Sequence, residues 1–248
     1  EEEADYGCVV LMEVKTGYIK AITNLKRLES GKYFDSYNNA IGTKNEPGST
    51  FKLISLMIAL SDPSLDISIN DTINTFEGEF KYFDRTMEDA RRGGYGKITI
   101  KESFEKSSNI GISRIITENY KGKEQDFIDR LYSILDHDFM LDIAGEPKPS
   151  FTTPENYLWS GVTLPWMSTG YEVEMTPLQI LSIYNAVANR GEMMQPKIVK
   201  RIESNGFVSN QNQFTPTSMG VICSEKVSDL LIELMKGVVL NGTAKNIK

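Results

Sequence analysis

The sequence predicts a mixed α/β protein, an antiparallel sheet lobe joined to a helical lobe. Three observations lead there. The chain opens on β-forming residues that turn back on themselves between Tyr6 and Thr23. A helix apolar on nearly every side follows Glu46-Pro47-Gly48. Further helices, marked by caps and apolar stripes, fill most of the remaining chain. A length of 248 residues suits one large domain or two intimate lobes.

The elements follow in order. Tyr6 to Glu13 is rich in β-formers, Val14-Lys15-Thr16-Gly17 is a turn, and Tyr18 to Thr23 is the returning strand of a hairpin. Leu25 to Lys44, polar and aromatic with two glycines, reads as a long loop. Asp62 to Phe83 reads as loop with short extended pieces. Thr99-Ile100-Lys101-Glu102 matches a capping box and starts a helix ending near Lys106. A second helix carries Ile110, Ile112, Ile115 and Ile116, with Asn109 or Ser107 as its cap. Gln125 to Leu135 is amphipathic, and Gly145 to Thr163 is irregular. Thr176-Pro177-Leu178-Gln179 is a strong helix start, and that helix runs to about Arg190. Pro196 to Glu203 and Gly206 to Phe214 read as short strands. Ser224 caps a last helix with a continuous stripe from Val227 to Val239. A two-stranded hairpin is not stable alone, so other strands must complete its sheet.

Composition excludes several classes. Apolar content of 40%, charged content of 25% and interspersed charges summing to −7 argue against nucleic acid as the main partner. No apolar run approaches the eighteen or so residues of a membrane span. The start, Glu1-Glu2-Glu3-Ala4-Asp5, resembles an excised piece more than a natural N terminus. Cys8 and Cys223 define no disulfide framework and no metal site, and read as buried free thiols. The single His137 lies in a polar, turn-like stretch and reads as a surface residue. A Ser-His-Asp hydrolase has no other base to draw on.

Chemistry points to the helix after Gly48. Ser49 can open it, and Lys52 lies three residues on, so both project from one face of the first turn. From Phe51 to Leu60 only Lys52 and Ser55 are not apolar, which marks a buried helix. Alone, Ser-x-x-Lys also reads as a cap followed by a snorkelling lysine. A buried ammonium, however, is costly without a reason. Desolvation lowers a lysine pKa, and a neutral amine beside a hydroxyl can take its proton. The helix N-terminus adds N–H groups where an oxyanion could form. Ser107-Ser108-Asn109 is the second candidate motif, although a simple connector between two helices would look the same.

Ser-x-x-Lys followed by Ser-x-Asn resembles the acyl-serine enzymes that recognise penicillin. The wider text resembles the transpeptidase domain of a class B, monofunctional penicillin-binding protein. The similar stretches are Val14-Lys15-Thr16-Gly17-Tyr18-Ile19, Glu46 to Lys52, Lys106-Ser107-Ser108-Asn109-Ile110-Gly111, Leu141 to Glu146 and Met175-Thr176-Pro177-Leu178-Gln179, with Gly242-Thr243-Ala244 at the end. The resemblance implies the fold of serine β-lactamases and penicillin-binding transpeptidases. It implies that Ser49 attacks the D-Ala–D-Ala carbonyl of a peptidoglycan stem peptide and that Lys52 is the general base. Ser107 would relay the proton, and Asn109, with Ser108 beside it, would contact substrate and hold Lys52. An amine from a neighbouring stem peptide would then form the cross-link, with no cofactor and no metal. β-Lactam antibiotics would be covalent inhibitors, and cell-wall synthesis or division proteins would be partners. The place would be the bacterial envelope, outside the cytoplasm, with a membrane anchor beyond this segment.

One departure accompanies the resemblance. The family's Lys-Thr/Ser-Gly motif belongs on a strand after the last helix, and the sequence stops short of it at Lys248. Lys15-Thr16-Gly17 spells it in the wrong place in the order. The expectation is a partial transpeptidase domain with an incomplete sheet and impaired activity. Its sheet-side lobe would be residues 1–60 and 200–248, and its helical lobe 61–199. Two alternatives stay open: a β-lactamase or β-lactam sensor, for which Glu146 and Glu155 lie in the right region, and a non-catalytic scaffold.

Overall fold

Eight consecutive residues, Lys52 to Ala59, are buried, and the helical part of the chain is built around them. The computed structural model describes residues 4–35, 37–135, 141, 145–203 and 213–247. His137 and the expected similarity at Asp142-Ile143-Ala144 lie outside them, as does most of the expected strand from Gly206. The chain divides into two units, one of Glu1–Asn45, His137–Pro149 and Met175–Ile222, the other of Glu46–Asp136, Ser150–Glu174 and Cys223–Lys248. These differ from the expected lobes. Residues 46–60 and 223–248 group with the helices, and 175–199 with the hairpin.

In the first unit, β1 (Tyr6–Met12) pairs antiparallel with β2 (Ile19–Arg27), Val9 opposite Thr23. The residues expected to form a loop after Leu25 instead extend β2 and add β3 (Tyr33–Asp35) on its far side. The reversal closes through Leu28 and Lys32, which bond across Gly31. The short helix α1 (Asn39–Gly42) follows. Buried Asn24 of β2 holds it, accepting from Ala40 N at 2.9 Å and donating to Asn38 Oδ1 at 2.8 Å.

Later in the chain, α7 (Pro177–Ala188) starts with the capping box of Thr176 and Gln179 and packs on α1 and β1. Asn185 reaches back to the hairpin turn, donating to Val14 O at 3.1 Å. Two short strands, β10 (Glu192–Met194) and β11 (Ser218–Val221), pair antiparallel. Residues 196–203, expected as a strand, make only single bridges, Tyr18 with Lys197 and Arg201 with Gln213. The strand forms earlier because Arg190 and Gly191, both at positive φ just past the helix, reverse the chain at once, with Gly191 N donating to Ala186 O at 2.8 Å.

The second unit is centred on α2 (Lys52–Ser61). Against it pack α4 (Asn109–Asn119), α5 (Glu124–Leu135) and α8 (Glu225–Leu240). Leu53, Ile54, Leu56 and Met57 are fully enclosed, and burial of each contributes about 1.5–3 kcal/mol. Asp62 terminates α2 and gathers Ser64, the Tyr120 hydroxyl at 3.0 Å and Arg130 at 2.9 Å. The capping box at Thr99 starts α3 (Ile100–Glu105), which packs on α4 and α8. Ser224 caps α8 as expected.

Short strand pairs decorate this unit: β4 (Thr72–Asn74) with β7 (Lys97–Thr99), β5 (Glu79–Tyr82) with β6 (Arg85–Glu88), and β8 (Ser150–Phe151) with β9 (Val173–Glu174). The irregular stretch ends in a helix that the sequence reading missed, α6 (Thr163–Met167). Its Pro165 sits in the first turn, where proline is tolerated. Cys223 is buried and free, and burial pushes its thiol up to about 11. Cys8 is free and half-buried. No helix among the described residues is long and apolar enough to cross a membrane.

Candidate active site

Ser49 is presented by a tight turn rather than by a capped helix end. Gly48–Phe51 form a 3-10 turn that runs directly into α2, and no side chain caps either start. A 3-10 turn has three residues per turn, so positions three apart eclipse. Ser49 and Lys52 therefore line up more closely than an α-helix would place them. The turn is braced from behind. Gly48 N donates to Gly170 O at 2.9 Å, and Ser55 Oγ donates to Ser168 O at 2.8 Å. Gly170 has φ +92°, and a Cβ there would fall 1.9 Å from Gly48 O. Ser49 itself is exposed, and its N–H, at the open end of the turn, has no carbonyl one turn earlier to bond.

Lys52 is 1% exposed. Its amine donates to Ser107 O at 2.7 Å, Ser107 Oγ at 3.1 Å and Asn109 Oδ1 at 2.7 Å. No hydrogen bond joins it to Ser49 among the described residues. Burial pushes the amine down to about 8, against the opposing pull of the Asp89 carboxylate. Roughly a tenth of the lysine is then neutral at pH 7, far more than at an ordinary lysine.

The elbow between α3 and α4 delivers both partners. Ser107 is half-buried at φ +54°, a left-handed conformation that costs about 1–3 kcal/mol for a non-glycine residue. That twist turns its carbonyl and its hydroxyl together onto Lys52. Asn109, the first residue of α4, is oriented by donating through Nδ2 to Glu88 O at 2.9 Å. Gly111 lets the elbow close, since a Cβ there would fall 2.5 Å from Ser103 Oγ.

Ser108 departs from its expected role. It is fully buried, so the substrate contact suggested for it gives way to a structural one. Its hydroxyl caps α4 by accepting from Gly111 N at 2.8 Å, and it, rather than Asn109 or Ser107, is the N-cap. The same hydroxyl donates to both Asp89 oxygens at 2.9 Å. Asp89 also accepts from Ile110 N at 3.1 Å. Asp89 and Glu88 were missed in the sequence. They sit in Met87-Glu88-Asp89-Ala90, which carries no motif, and only tertiary pairing of β6 with the elbow reveals them.

Lys15-Thr16-Gly17 forms the β1–β2 turn in the first unit, where Thr16 is bonded to Glu13. Glu146 accepts from Gln179 in that same unit, and Glu155 is exposed. Among the described residues no group of His, Cys, Asp and Glu is placed to hold a metal ion.

A Ser-x-x-Lys turn whose lysine is gripped by a Ser-x-Asn elbow, in a mixed α/β chain, is the arrangement that the sequence resemblance to penicillin-recognising acyl-serine enzymes leads one to expect. The family model of the penicillin binding protein transpeptidase domain matches residues 7–248, and the chain belongs to that family. The chain is similar to the peptidoglycan D,D-transpeptidase FtsI of Escherichia coli K12, at 23% identity over 97% of this chain and 38% of the relative. It is similar to FtsI of Buchnera aphidicola, at 27% identity over 100% of this chain and 44% of the relative. The chain thus spans less than half the length of these curated relatives. Its fold is that of the D,D-transpeptidase domain of a peptidoglycan glycosyltransferase from Eggerthella lenta, with a TM-score of 0.80 at 22% identity over 96% of this chain and 62% of that one. It also matches Mycobacterium tuberculosis penicillin binding protein 3 complexed with aztreonam, with a TM-score of 0.75 at 22% identity over 94% and 51% of the two chains.

Proposed function

We propose that this chain carries the acyl-transfer residues of a peptidoglycan D,D-transpeptidase. The observation that carries the reading is the grip of Ser107 and Asn109 on a buried, partly neutral Lys52 one turn from an exposed Ser49. Ser49 Oγ attacks the carbonyl carbon of the penultimate D-alanine of a stem peptide. Lys52 Nζ takes the hydroxyl proton, its lone pair being available in the neutral form. To do so the amine gives up one elbow contact and turns to Ser49, three residues back on the same face. The tetrahedral oxyanion forms against the Ser49 N–H at the positive end of the turn. When the C–N bond breaks, Ser107 Oγ, bonded to Lys52, passes a proton to the departing D-alanine nitrogen. Asn109 holds Lys52 and offers its side-chain amide to the substrate. An amine from a second stem peptide attacks the acyl-enzyme, forms the new amide and frees Ser49.

A β-lactam ring presents the same carbonyl but keeps its leaving group tethered, so the ester on Ser49 persists. The names of the relatives support the substrate class, and the family supports recognition of β-lactams. The setting that follows is the bacterial envelope, outside the cytoplasm, with cell-wall synthesis or division proteins as partners. The test is intact-mass spectrometry of the protein incubated with a penicillin, followed by peptide mapping. One adduct on the Ser49 peptide is expected, and none with Ser49→Ala. Undiminished labelling of Ser49→Ala, or an adduct on another residue, overturns the assignment.

A further inference from the structure

We propose that Asp89 is a positioning residue of this active site, acting through Ser108 and the start of α4 to hold Ser107 and Asn109 against Lys52. The inference rests on the acyl-transfer reading of that site. Asp89 directly follows β6 and is 8% exposed. The hydrogen bonds of its carboxylate go to the elbow, from Ser108 Oγ at 2.9 Å on each oxygen and from Ile110 N at 3.1 Å on Oδ1, while its backbone N–H donates to Gly78 O at 2.9 Å. Ser107 and Asn109, the two residues that touch Lys52, are therefore interleaved with the two residues that Asp89 grips. The preceding residue completes the hold, since Glu88 O orients the Asn109 side chain at 2.9 Å.

The elbow needs such a restraint. Ser107 sits at φ +54° and relaxes to an ordinary conformation unless its surroundings over-determine it. The flanking hydrogen bonds, Ser107 N to Phe104 O and Ser108 N to Ser103 O, tie the elbow only to α3, on one side. Asp89 supplies the tie on the other. A carboxylate at the start of α4 also suits the positive end of that helix. Asp89 makes no hydrogen bond to Lys52 or Ser49 among the described residues; its charge also favours the protonated Lys52, and both Asp89→Asn and Asp89→Ala remove that charge, so the difference between them reads the geometric tie. A displacement of about 1 Å at such a site can cost roughly a hundredfold in rate.

Three variants test this: Asp89→Ala removes the tie, Asp89→Asn keeps an acceptor of the same shape, and Ser108→Ala removes the partner while leaving Asp89 in place. The second-order rate of acylation by a fluorescent penicillin is measured on the folded fraction. Asp89→Ala is expected to lose about a hundredfold, Ser108→Ala at least tenfold, and Asp89→Asn to recover to within about fivefold of wild type. In parallel, hydrogen exchange of the Asn109 side-chain amide is followed by NMR and is expected to quicken at least tenfold in Asp89→Ala. That readout needs no acylation. If wild-type protein takes no penicillin, the proposed function fails while the amide exchange still tests Asp89. Unchanged Asn109 exchange in both Asp89→Ala and Ser108→Ala, or equal rate losses in Asp89→Asn and Asp89→Ala, overturns the inference.

Discussion

Lys52 Nζ lies 2.7 Å from Asn109 Oδ1, across 57 residues of chain. That contact makes the amine a held group rather than a snorkelling one. Replacing Lys52 by Arg removes the amine lone pair that the proposed mechanism uses to take the Ser49 proton, because guanidinium does not deprotonate at accessible pH. Acylation of Lys52→Arg by a penicillin is expected to fall at least a thousandfold. Stopped-flow or gel-based labelling measures it, and near-normal labelling would assign the base elsewhere.

The same lysine sets a pH dependence. Its amine is pushed down to about 8 from 10.5, so the reactive neutral form rises with pH. The acylation rate should climb between pH 6 and 9 with a midpoint near 8, read from initial rates across that range. The stability consequence has the matching sign. Between the folded and unfolded values the unfolded chain binds the extra proton, so wild-type protein gains stability as pH rises through that window. The full span is about 3 kcal/mol. Urea midpoints of wild type and Lys52→Met compared at pH 7 and pH 10 check it: wild type should improve relative to the variant at the higher pH.

Gly170 tests the bracing of the turn that presents Ser49. An alanine Cβ would be driven onto Gly48 O at a backbone angle disfavoured for any side chain. Gly170→Ala should cost at least about 2 kcal/mol. The surviving folded protein should also acylate more slowly, since the turn that presents Ser49 must move. A thermal melt combined with the labelling rate reads both effects.

Asp62 tests the far end of α2. Burial opposes its charge, but bonds from Ser64 and Tyr120 and the charge of Arg130 outweigh that, and its carboxyl is held below its ordinary value. It therefore contributes stability above the ordinary carboxylate range, and that contribution is lost as pH falls through the lowered value. Asp62→Asn should cost about 2 kcal/mol at pH 7 and distinctly less near pH 3. Chemical denaturation at the two pH values compares them.

Local chemistry was legible where it acts over a few residues. The capping boxes at Thr99 and Thr176, the Ser224 cap and the hairpin turn at residues 14–17 all stand as read. Their hydrogen bonds join residues two to five apart. β3 and α1 were not legible, because a three-residue strand and a four-residue helix have no period to detect. They exist because β2 offers a free edge and Asn24 offers a buried amide. Likewise the cap of α4 fell to Ser108 over its neighbours because Asp89 was there to pair with it.

By itself the sequence determined that Ser49 and Lys52 share one face, that the helix carrying Lys52 is apolar enough to be buried, and that Ser107-Ser108-Asn109 interrupts two helices. Spacing along a helix follows from backbone geometry, and that geometry is local. Only the tertiary structure decided which atoms Lys52 meets, that Ser49 rides on a 3-10 turn braced by Gly170, and that Asp89 rather than substrate occupies Ser108. Those choices rest on contacts between distant segments. They depend on how completely each buried polar group can be satisfied, and that is settled only when α2, β6 and the α3–α4 elbow are packed together.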